Sequence, residues 1–115
     1  MTRPQNIIYL VPGDRKYKLF KHSDAVVDFQ LNWAQFLESS ESISTTTTSA
    51  SNITVDSSSS SGQVTTIFVS GGGENSTAYI DVTIVTDNST ARTFKVRLSF
   101  YFETTVETEG DYYYL

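Results

Sequence analysis

The clearest feature of the chain is an alternation of apolar and polar residues between Arg92 and Phe102. Successive side chains of a β-strand point to opposite faces, so this pattern predicts a strand with one buried face. The residues on the apolar side are Phe94, Val96, Leu98, Phe100 and Phe102. A similar alternation runs from Thr77 to Thr86, and the short polar stretch 87–90 separates the two. Together they predict a β-hairpin.

Shorter segments of the same type precede this hairpin. They predict strands over residues 6–11, 15–20, 25–33, 42–48, 53–55 and 63–70. Trp33, Phe36 and Leu37 have helical spacing and predict one short helical turn after the third strand. The serine-rich segment from Asp56 to Gly62 predicts a flexible loop. About seven to eight antiparallel strands therefore indicate an all-β fold, a single immunoglobulin-like or jelly-roll-like β-sandwich with extended termini.

The length of 115 residues suits one domain with one core. The strand pattern places a β-sandwich domain at residues 6–102. It leaves residues 1–5 as an N-terminal arm and residues 103–115 as an acidic, tyrosine-rich C-terminal arm.

Composition narrows the possible functions. The formal net charge is -5, which disfavours nucleic-acid binding because phosphate affinity depends on clustered Lys and Arg. There is no cysteine, so neither disulfides nor thiolate metal sites are expected. The first apolar run has five residues and is too short for a signal peptide or a membrane helix, so we expect synthesis in the cytoplasm and no membrane partner.

The charges are unevenly distributed along the chain. A basic segment contains Arg15, Lys16, Lys18 and Lys21, whereas the C-terminal segment carries Glu103, Glu107, Glu109 and Asp111 without a balancing base. The simple interpretation is two solvated faces. The alternative is that the four basic residues make electrostatic contacts with an acidic partner or with the acidic segment of another copy.

No arrangement of residues indicates catalysis. The chain has one histidine, His22, in the sequence Lys-His-Ser-Asp, and consecutive side chains point in different directions and rarely form a triad. The three glycines at 71–73 lack the lysine of a phosphate loop and lead into a strand. The sequence therefore predicts a protein that is not an enzyme and needs no cofactor and no metal.

The two ends of the chain carry the residues most typical of an interface. Tyrosine brings a large contact area at low entropy cost, and three tyrosines stand near the C-terminus. An apolar N-terminal segment could also add to a partner as an edge strand, or could be an ordinary strand of the sandwich. The candidate interface residues are Ile7, Ile8, Tyr9, Leu10, Tyr112, Tyr113, Tyr114 and Leu115.

Several segments between residues 6 and 102 resemble small accessory virion proteins of tailed bacteriophages. The similar segments are Ile7 to Gly13, Leu31 to Leu37, Ile67 to Gly72, Tyr79 to Thr86 and Arg92 to Val96. The resemblance implies an immunoglobulin-type sandwich that decorates or cements a capsid, or belongs to a head or tail fibre. It supplies no catalytic residues.

The resemblance and the composition together predict a non-enzymatic structural protein on the virion surface. The expected partners are the major capsid protein or other virion subunits, in a homo-oligomer or another multi-copy assembly. The alternative function is a glycan- or receptor-binding module of a head, neck or tail fibre, in which outward-facing Tyr79 or Tyr101 would stack on sugar rings.

Overall fold

The fold is described from a computed structural model that covers residues 7–13, 16–22, 24–72, 78–102 and 113–115, the backbone only for 113 and 114. Within these residues the chain forms nine strands. In chain order they are β1 (Ile7–Tyr9), β2 (Lys16–Lys21), β3 (Val27–Asn32), β4 (Ile43–Ser51), β5 (Thr54–Ser61), β6 (Val64–Ser70), β7 (Ala78–Thr86), β8 (Thr93–Phe102) and β9 (Tyr113–Tyr114).

The strands form two sheets, which confirms the predicted all-β sandwich. One sheet has the order β1-β3-β6-β5 and the other the order β4-β7-β8-β2-β9. Three pairings, β1 with β3, β2 with β8 and β2 with β9, are parallel rather than antiparallel. The turn at Pro12 and Gly13 carries the chain from one sheet into the other, so β1 and β2 pair with strands distant in sequence instead of with each other.

The predicted hairpin is confirmed as β7 and β8, paired antiparallel from Ala78 opposite Phe100 to Val85 opposite Thr93. Its inward-facing side chains form the centre of the core. Those with at most 1% exposure are Ile80, Val82, Ile84, Val96, Leu98, Phe100 and Phe102. Phe94, at the start of β8, is partly buried against the same core. The period-two pattern therefore identified the buried face correctly.

The serine-rich segment is a strand, so the predicted loop at Asp56 to Gly62 is wrong. Residues 57–61 pair with 64–68 of β6 after a register shift between Val55 and Ser57. A strand ladder is formed by backbone groups, which serine supplies as well as any other residue. Inside the sandwich, the Ser60 hydroxyl lies 2.5 Å from Thr46 Oγ1 and 2.8 Å from Thr65 Oγ1. These contacts let a polar side chain face the core.

The segment after β3 forms a hydrogen-bonded turn rather than the predicted helical turn. The Phe36 N–H donates to the Trp33 carbonyl at 2.8 Å, and no described residue is helical. Trp33 is fully buried, and its indole Nε1–H donates to Thr65 Oγ1 at 3.1 Å. The indole packs edge to face against the Phe36 ring, with centroids 5.4 Å apart. The turn thus closes one end of the core.

The other end of the core joins the two sheets through Lys21 and Gly72. The Lys21 ammonium is fully buried and donates to the carbonyls of His22 at 2.7 Å and Gly71 at 2.8 Å. Gly72 lies against the Phe102 ring, where a Cβ atom would come within 2.3 Å of Phe102 Cζ. A glycine is required because only its bare Cα fits this approach.

None of the described residues belongs to a helix that could span a membrane. The predicted arm at residues 1–5 lies outside the described residues, and so does 103–112 of the predicted C-terminal arm.

Candidate functional site

The two outer faces of the sandwich differ in composition. We name each face after a residue near its centre. The Arg97 face is the outer surface of the five-stranded sheet, with Lys16, Lys18, Phe20, Tyr79, Asp81, Thr83, Lys95, Arg97 and Tyr101. The Phe68 face is the outer surface of the four-stranded sheet, with Ile7, Tyr9, Val26, Asp28, Gln30, Asn32, Ser57, Ser59, Thr66 and Phe68.

The Arg97 face holds one arginine in a fixed position. Its guanidinium bonds both carboxylate oxygens of Asp81, with Nε to Oδ1 at 2.7 Å and Nη2 to Oδ2 at 2.9 Å. It also stacks 4.0 Å from the Tyr79 ring centroid. The hydrogen bonds from Arg97 lower the pKa of the Asp81 carboxyl below its ordinary value. A bidentate pair of this type fixes orientation as well as charge.

The position of Arg97 argues against one sequence-based expectation. Because its guanidinium covers one side of the Tyr79 ring, that side cannot stack on a sugar. Tyr101 is partly buried and lies opposite Phe20 in the register of β8 and β2. In the glycan-stacking alternative, Tyr79 could therefore use only the other side of its ring.

A shallow depression of about 340 Å³ lies on the same face. Lys16, Asp81, Lys95, Val96 and Arg97 line it. Lys16 stands directly opposite Arg97 across β2 and β8, and Arg97 stands opposite Asp81 across β8 and β7. Three cations and one carboxylate give the depression a formal charge of +2. This surface can hold anionic groups, although the whole chain carries a net charge of -5.

The Phe68 face carries the three exposed large apolar side chains of the described residues. Tyr9 is 59% exposed, Val26 68% and Phe68 42%. Phe68 lies between Asp28 on β3 and Ser57 on β5, so polar side chains flank an apolar centre. An apolar centre with a hydrogen-bonding rim is typical of protein interfaces. The sequence held a signal for this face, because β6 places Phe68 on the side opposite Ile67 and Val69.

The N-terminal candidate residues divide between core and surface. Ile8 and Leu10 are buried in the core, so they are unavailable as contacts from this fold. Ile7 and Tyr9 point to the outside and belong to the Phe68 face. β1 is an edge strand of its sheet and pairs with β3, as expected of an ordinary strand of the sandwich.

The basic candidates also divide. Lys16 and Lys18 point outward on the Arg97 face. Lys21 is fully buried between two carbonyl groups, so its place among the exposed electrostatic contacts is corrected. Its position in a six-residue strand puts it on the inner side together with Tyr17 and Leu19. Arg15 lies outside the described residues.

The C-terminal candidates lie beside β2 where they are described. The backbone of Tyr113 and Tyr114 pairs with Leu19 and Phe20 as β9. The Leu115 N–H donates to the Phe20 carbonyl at 2.9 Å, and the Leu115 side chain packs partly buried against the core. Tyr112 lies outside the described residues.

An ion pair between a buried carboxylate and a partly exposed arginine, which the sequence did not reveal, closes the end of the sandwich near Trp33. The Glu41 side chain is almost fully buried and binds Arg92, whose Nε donates to Oε2 at 3.0 Å. Arg92 Nη2 also donates to the Phe36 carbonyl at 3.2 Å, and the Glu38 N–H donates to Glu41 Oε1 at 3.0 Å. The hydrogen bonds to the Glu41 carboxylate, first that from Arg92 and then those from Thr86 and the Glu38 N–H, lower the pKa of Glu41 from 4.5 to about 2.

This ion pair predicts a specific acid sensitivity. The folded pKa of Glu41 lies below its unfolded value, so its contribution to stability is complete above 4.5 and is lost as the pH falls towards about 2. We expect Glu41→Gln to be less stable near neutral pH and to lose less stability between about pH 5 and about pH 2.5. Urea unfolding midpoints across this range measure the effect. Asp56→Asn, which removes an exposed carboxylate of β5 with the same change of charge, is the control. An unchanged pH slope in Glu41→Gln would contradict the assignment.

Nothing in the described residues assembles a reaction centre. His22 is exposed, and its ring meets the edge of Phe20 with centroids 5.8 Å apart. Among the described residues, no three His, Cys, Asp or Glu side chains come together in a group that could hold a metal ion.

These features define an all-β sandwich with two chemically different outer faces. Residues 21–99 match the family described as Podophage GP4 fiber-tail adaptor protein gp77. The match covers more than half of the chain, from the end of β2 to Ser99 in β8, and the chain belongs to this family.

Two further comparisons add little. No curated protein matches this chain. The solution structure of amebosin is similar at 14% sequence identity and a TM-score of 0.33, over 88% of this chain and 100% of that chain. The fold therefore rests on the strands of the chain itself.

The family assignment supports the expectation of an accessory phage virion protein. It does not support capsid decoration or cementing in particular, and it fits the fibre alternative better.

Proposed function

We propose that the protein is a non-enzymatic adaptor that attaches a fibre to the tail of a phage particle through protein–protein contacts. The observation that carries this proposal is the family match over residues 21–99. Under this proposal the site of attachment is the tail rather than the capsid surface. The partners are fibre and tail subunits rather than the major capsid protein.

The geometry supports a bridging role. An adaptor must hold two partners at once, and the sandwich offers two faces on opposite sides, one cationic and one with an apolar centre. Because the faces differ in chemistry, each favours a different partner and disfavours the other. A standard interface buries about 800 Å² on each partner, which one face of a small sandwich can supply.

The Phe68 face is the stronger of the two candidate contacts. Phe68 lies on β6, Val26 immediately precedes the neighbouring strand β3, and Tyr9 lies on β1 beyond it. Burying exposed apolar area stabilises association. Aromatic side chains are enriched among the residues that dominate binding energy. We assign this face to the contact that anchors the adaptor.

A single experiment tests both the location and the anchoring face. Particles assembled without the protein are incubated with purified full-length chain and imaged by cryo-electron microscopy. We expect density for the sandwich where fibres meet the tail, and fibres only on particles that carry it. Density on the capsid shell instead would overturn the proposal in favour of decoration.

The same assay identifies the contact. Phe68→Glu places a carboxylate in the apolar centre, and we expect it to reduce loading by about ten-fold or more, because a hot-spot residue contributes about 2 kcal/mol. The fold should persist, because Phe68 is 42% exposed. Ser89→Glu, in the exposed turn between β7 and β8, adds the same charge as a control. Equal loading of the two variants would remove the Phe68 face from the contact.

A further inference from the structure

The exposed lysines that the structure describes all lie on the Arg97 face. Lys18 already has an interaction within the chain and is therefore not part of the site. Lys16 and Lys95 line the depression together with Arg97. Since Arg97 and Asp81 offset each other's charge, the two lysines account for the net charge of +2 in the depression.

The strand register sets the spacing of these cations. Lys16 lies directly opposite Arg97 on the neighbouring strand β2, and Lys95 precedes Arg97 by two residues on the same side of β8. Neighbouring strands lie about 5 Å apart, and alternate residues of one strand lie about 7 Å apart. The two ammonium groups therefore extend from one small area of the sheet, on either side of the fixed guanidinium.

Both lysines are available to a ligand in the folded chain. Each is exposed, and within the described residues neither forms an ion pair or a side-chain hydrogen bond. Towards β4 the depression is bordered by the hydroxyl side chains of Thr83, Thr47 and Ser49. Asp81 is the one carboxylate among the described outward residues of β2, β4, β7 and β8. This surface can donate hydrogen bonds to carboxylates, and its one described carboxylate is already bonded to Arg97.

We propose that the depression at Lys16, Lys95 and Arg97 binds an acidic surface of one of the two partner proteins that the adaptor joins. The inference rests on the proposed function and adds the chemistry of one contact. Charge complementarity carries it, because two exposed ammonium groups without a counterion favour a partner that brings carboxylates.

The two contacts of the adaptor should then respond differently to salt. The described residues of the Phe68 face include no Lys or Arg, and three of its side chains are large, apolar and exposed. Salt screens exposed charges but does not weaken the burial of apolar area. Raising the salt concentration should therefore weaken the contact at the depression and leave the contact at the Phe68 face intact.

An acidic protein surface is favoured over nucleic acid as the occupant. The whole chain carries a net charge of -5, and long-range repulsion weakens binding to a polyphosphate backbone that is charged along its entire length. Two copies of the chain repel each other for the same reason. An acidic patch on a partner protein places its carboxylates only where the cations are.

Binding to the two partners tests the proposal. The full-length chain is titrated separately with purified fibres and with particles assembled without the protein, at about 50 mM and about 300 mM salt. For one partner, we expect Lys16→Gln with Lys95→Gln to weaken binding by about five- to ten-fold at the lower salt, the effect of removing two exposed charge contacts. At the higher salt this difference should shrink. The affinity for the other partner should not change.

A matched variant controls for net charge. Ser39→Glu with Ser89→Glu adds two carboxylates in exposed segments outside both faces, and its net charge equals that of the lysine variant, since -5 - 2 = -7 in both. It should bind both partners like the original protein. The lysine variant should also unfold at the original urea midpoint. A lower midpoint would show that the two lysines are engaged within the chain, and it would overturn the proposal.

The remaining outcomes separate this inference from the proposed function. If the chain binds fibres and particles but the lysine variant binds both equally well, the inference alone is wrong. If the chain binds neither, the proposed function is wrong and the inference with it. Loss of the lysine effect after nuclease treatment of the particles would assign the depression to nucleic acid. A dimer of the free chain that the lysine variant abolishes in analytical ultracentrifugation would assign it to a second copy. Either of these results would overturn the proposal.

Discussion

Replacing Trp33 with alanine should lower the free energy of unfolding by about 3–5 kcal/mol, the range for truncating a large aromatic residue in a core. Trp33 is fully buried, so its removal leaves a cavity bordered by the Phe36 ring, and it deletes the donor that satisfies the Thr65 hydroxyl. Urea unfolding followed by circular dichroism measures the loss.

Trp33→Phe separates packing from hydrogen bonding at this position. The phenyl ring keeps contact with Phe36 but cannot donate to Thr65, whose hydroxyl retains its contact with Ser60 at 2.8 Å. We expect a smaller loss than in the alanine variant. A loss in Trp33→Ala below about 1 kcal/mol would show that the turn after β3 is not part of the cooperative core.

Gly72→Ala should also destabilise the protein strongly, by about 2–4 kcal/mol. Two costs combine: the backbone φ of +92° is unfavourable for a residue with a side chain, and the new methyl would lie 2.3 Å from Phe102 Cζ. Phe102 is fully buried, so its ring cannot move aside without disturbing the core at the end of β8.

Gly71→Ala is the matched control, because the adjacent glycine has a similar backbone but open space. Its φ is +76°, and the nearest atom to an added Cβ is Thr54 Oγ1 at 3.8 Å. We expect a loss of about 1 kcal/mol, which is the backbone cost alone. Thermal and urea unfolding of both variants measure the difference. Equal destabilisation of the two would mean that the Phe102 contact contributes nothing.

The sequence predicted the parts of the fold that depend on local pattern. The alternation along β7 and β8 identified both the hairpin and its buried side. In a half-buried strand the apolar set of alternating side chains must face the core, and a shift by one residue would expose it. It failed at Asp56 to Ser61, where composition suggested a loop. Pairing with β6 decided that segment, and no local property of a serine run reports on a distant partner strand.

The candidate site was less accessible to sequence reasoning. The outward position of Phe68 follows from its neighbours Ile67 and Val69, but the presence of Tyr9 on the same outer face depends on the parallel pairing of β1 with β3. The charge pattern placed Lys16 and Lys18 on an exposed strand. It could not show that Lys95 and Arg97 join them, because the pairing of β2 with β8 brings together residues about eighty positions apart. The Glu41 pair with Arg92 was hidden for the same reason.

The family assignment and the two faces agree on one point. Under the proposed function the protein must keep its two partners from exchanging places, and the two faces would achieve this by chemistry rather than by shape. One requires anions and the other requires apolar area, so a partner suited to one meets unfavourable desolvation on the other.

The composition of the serine-rich strand β5 affects how neighbouring molecules of this protein can associate. β5 is an edge strand of its sheet, and unprotected edge strands of neighbouring molecules tend to pair with one another. Its short serine side chains offer an incoming strand almost no apolar area that would stabilise such pairing. Molecules of this chain that lie close together would thus have little tendency to join through this edge.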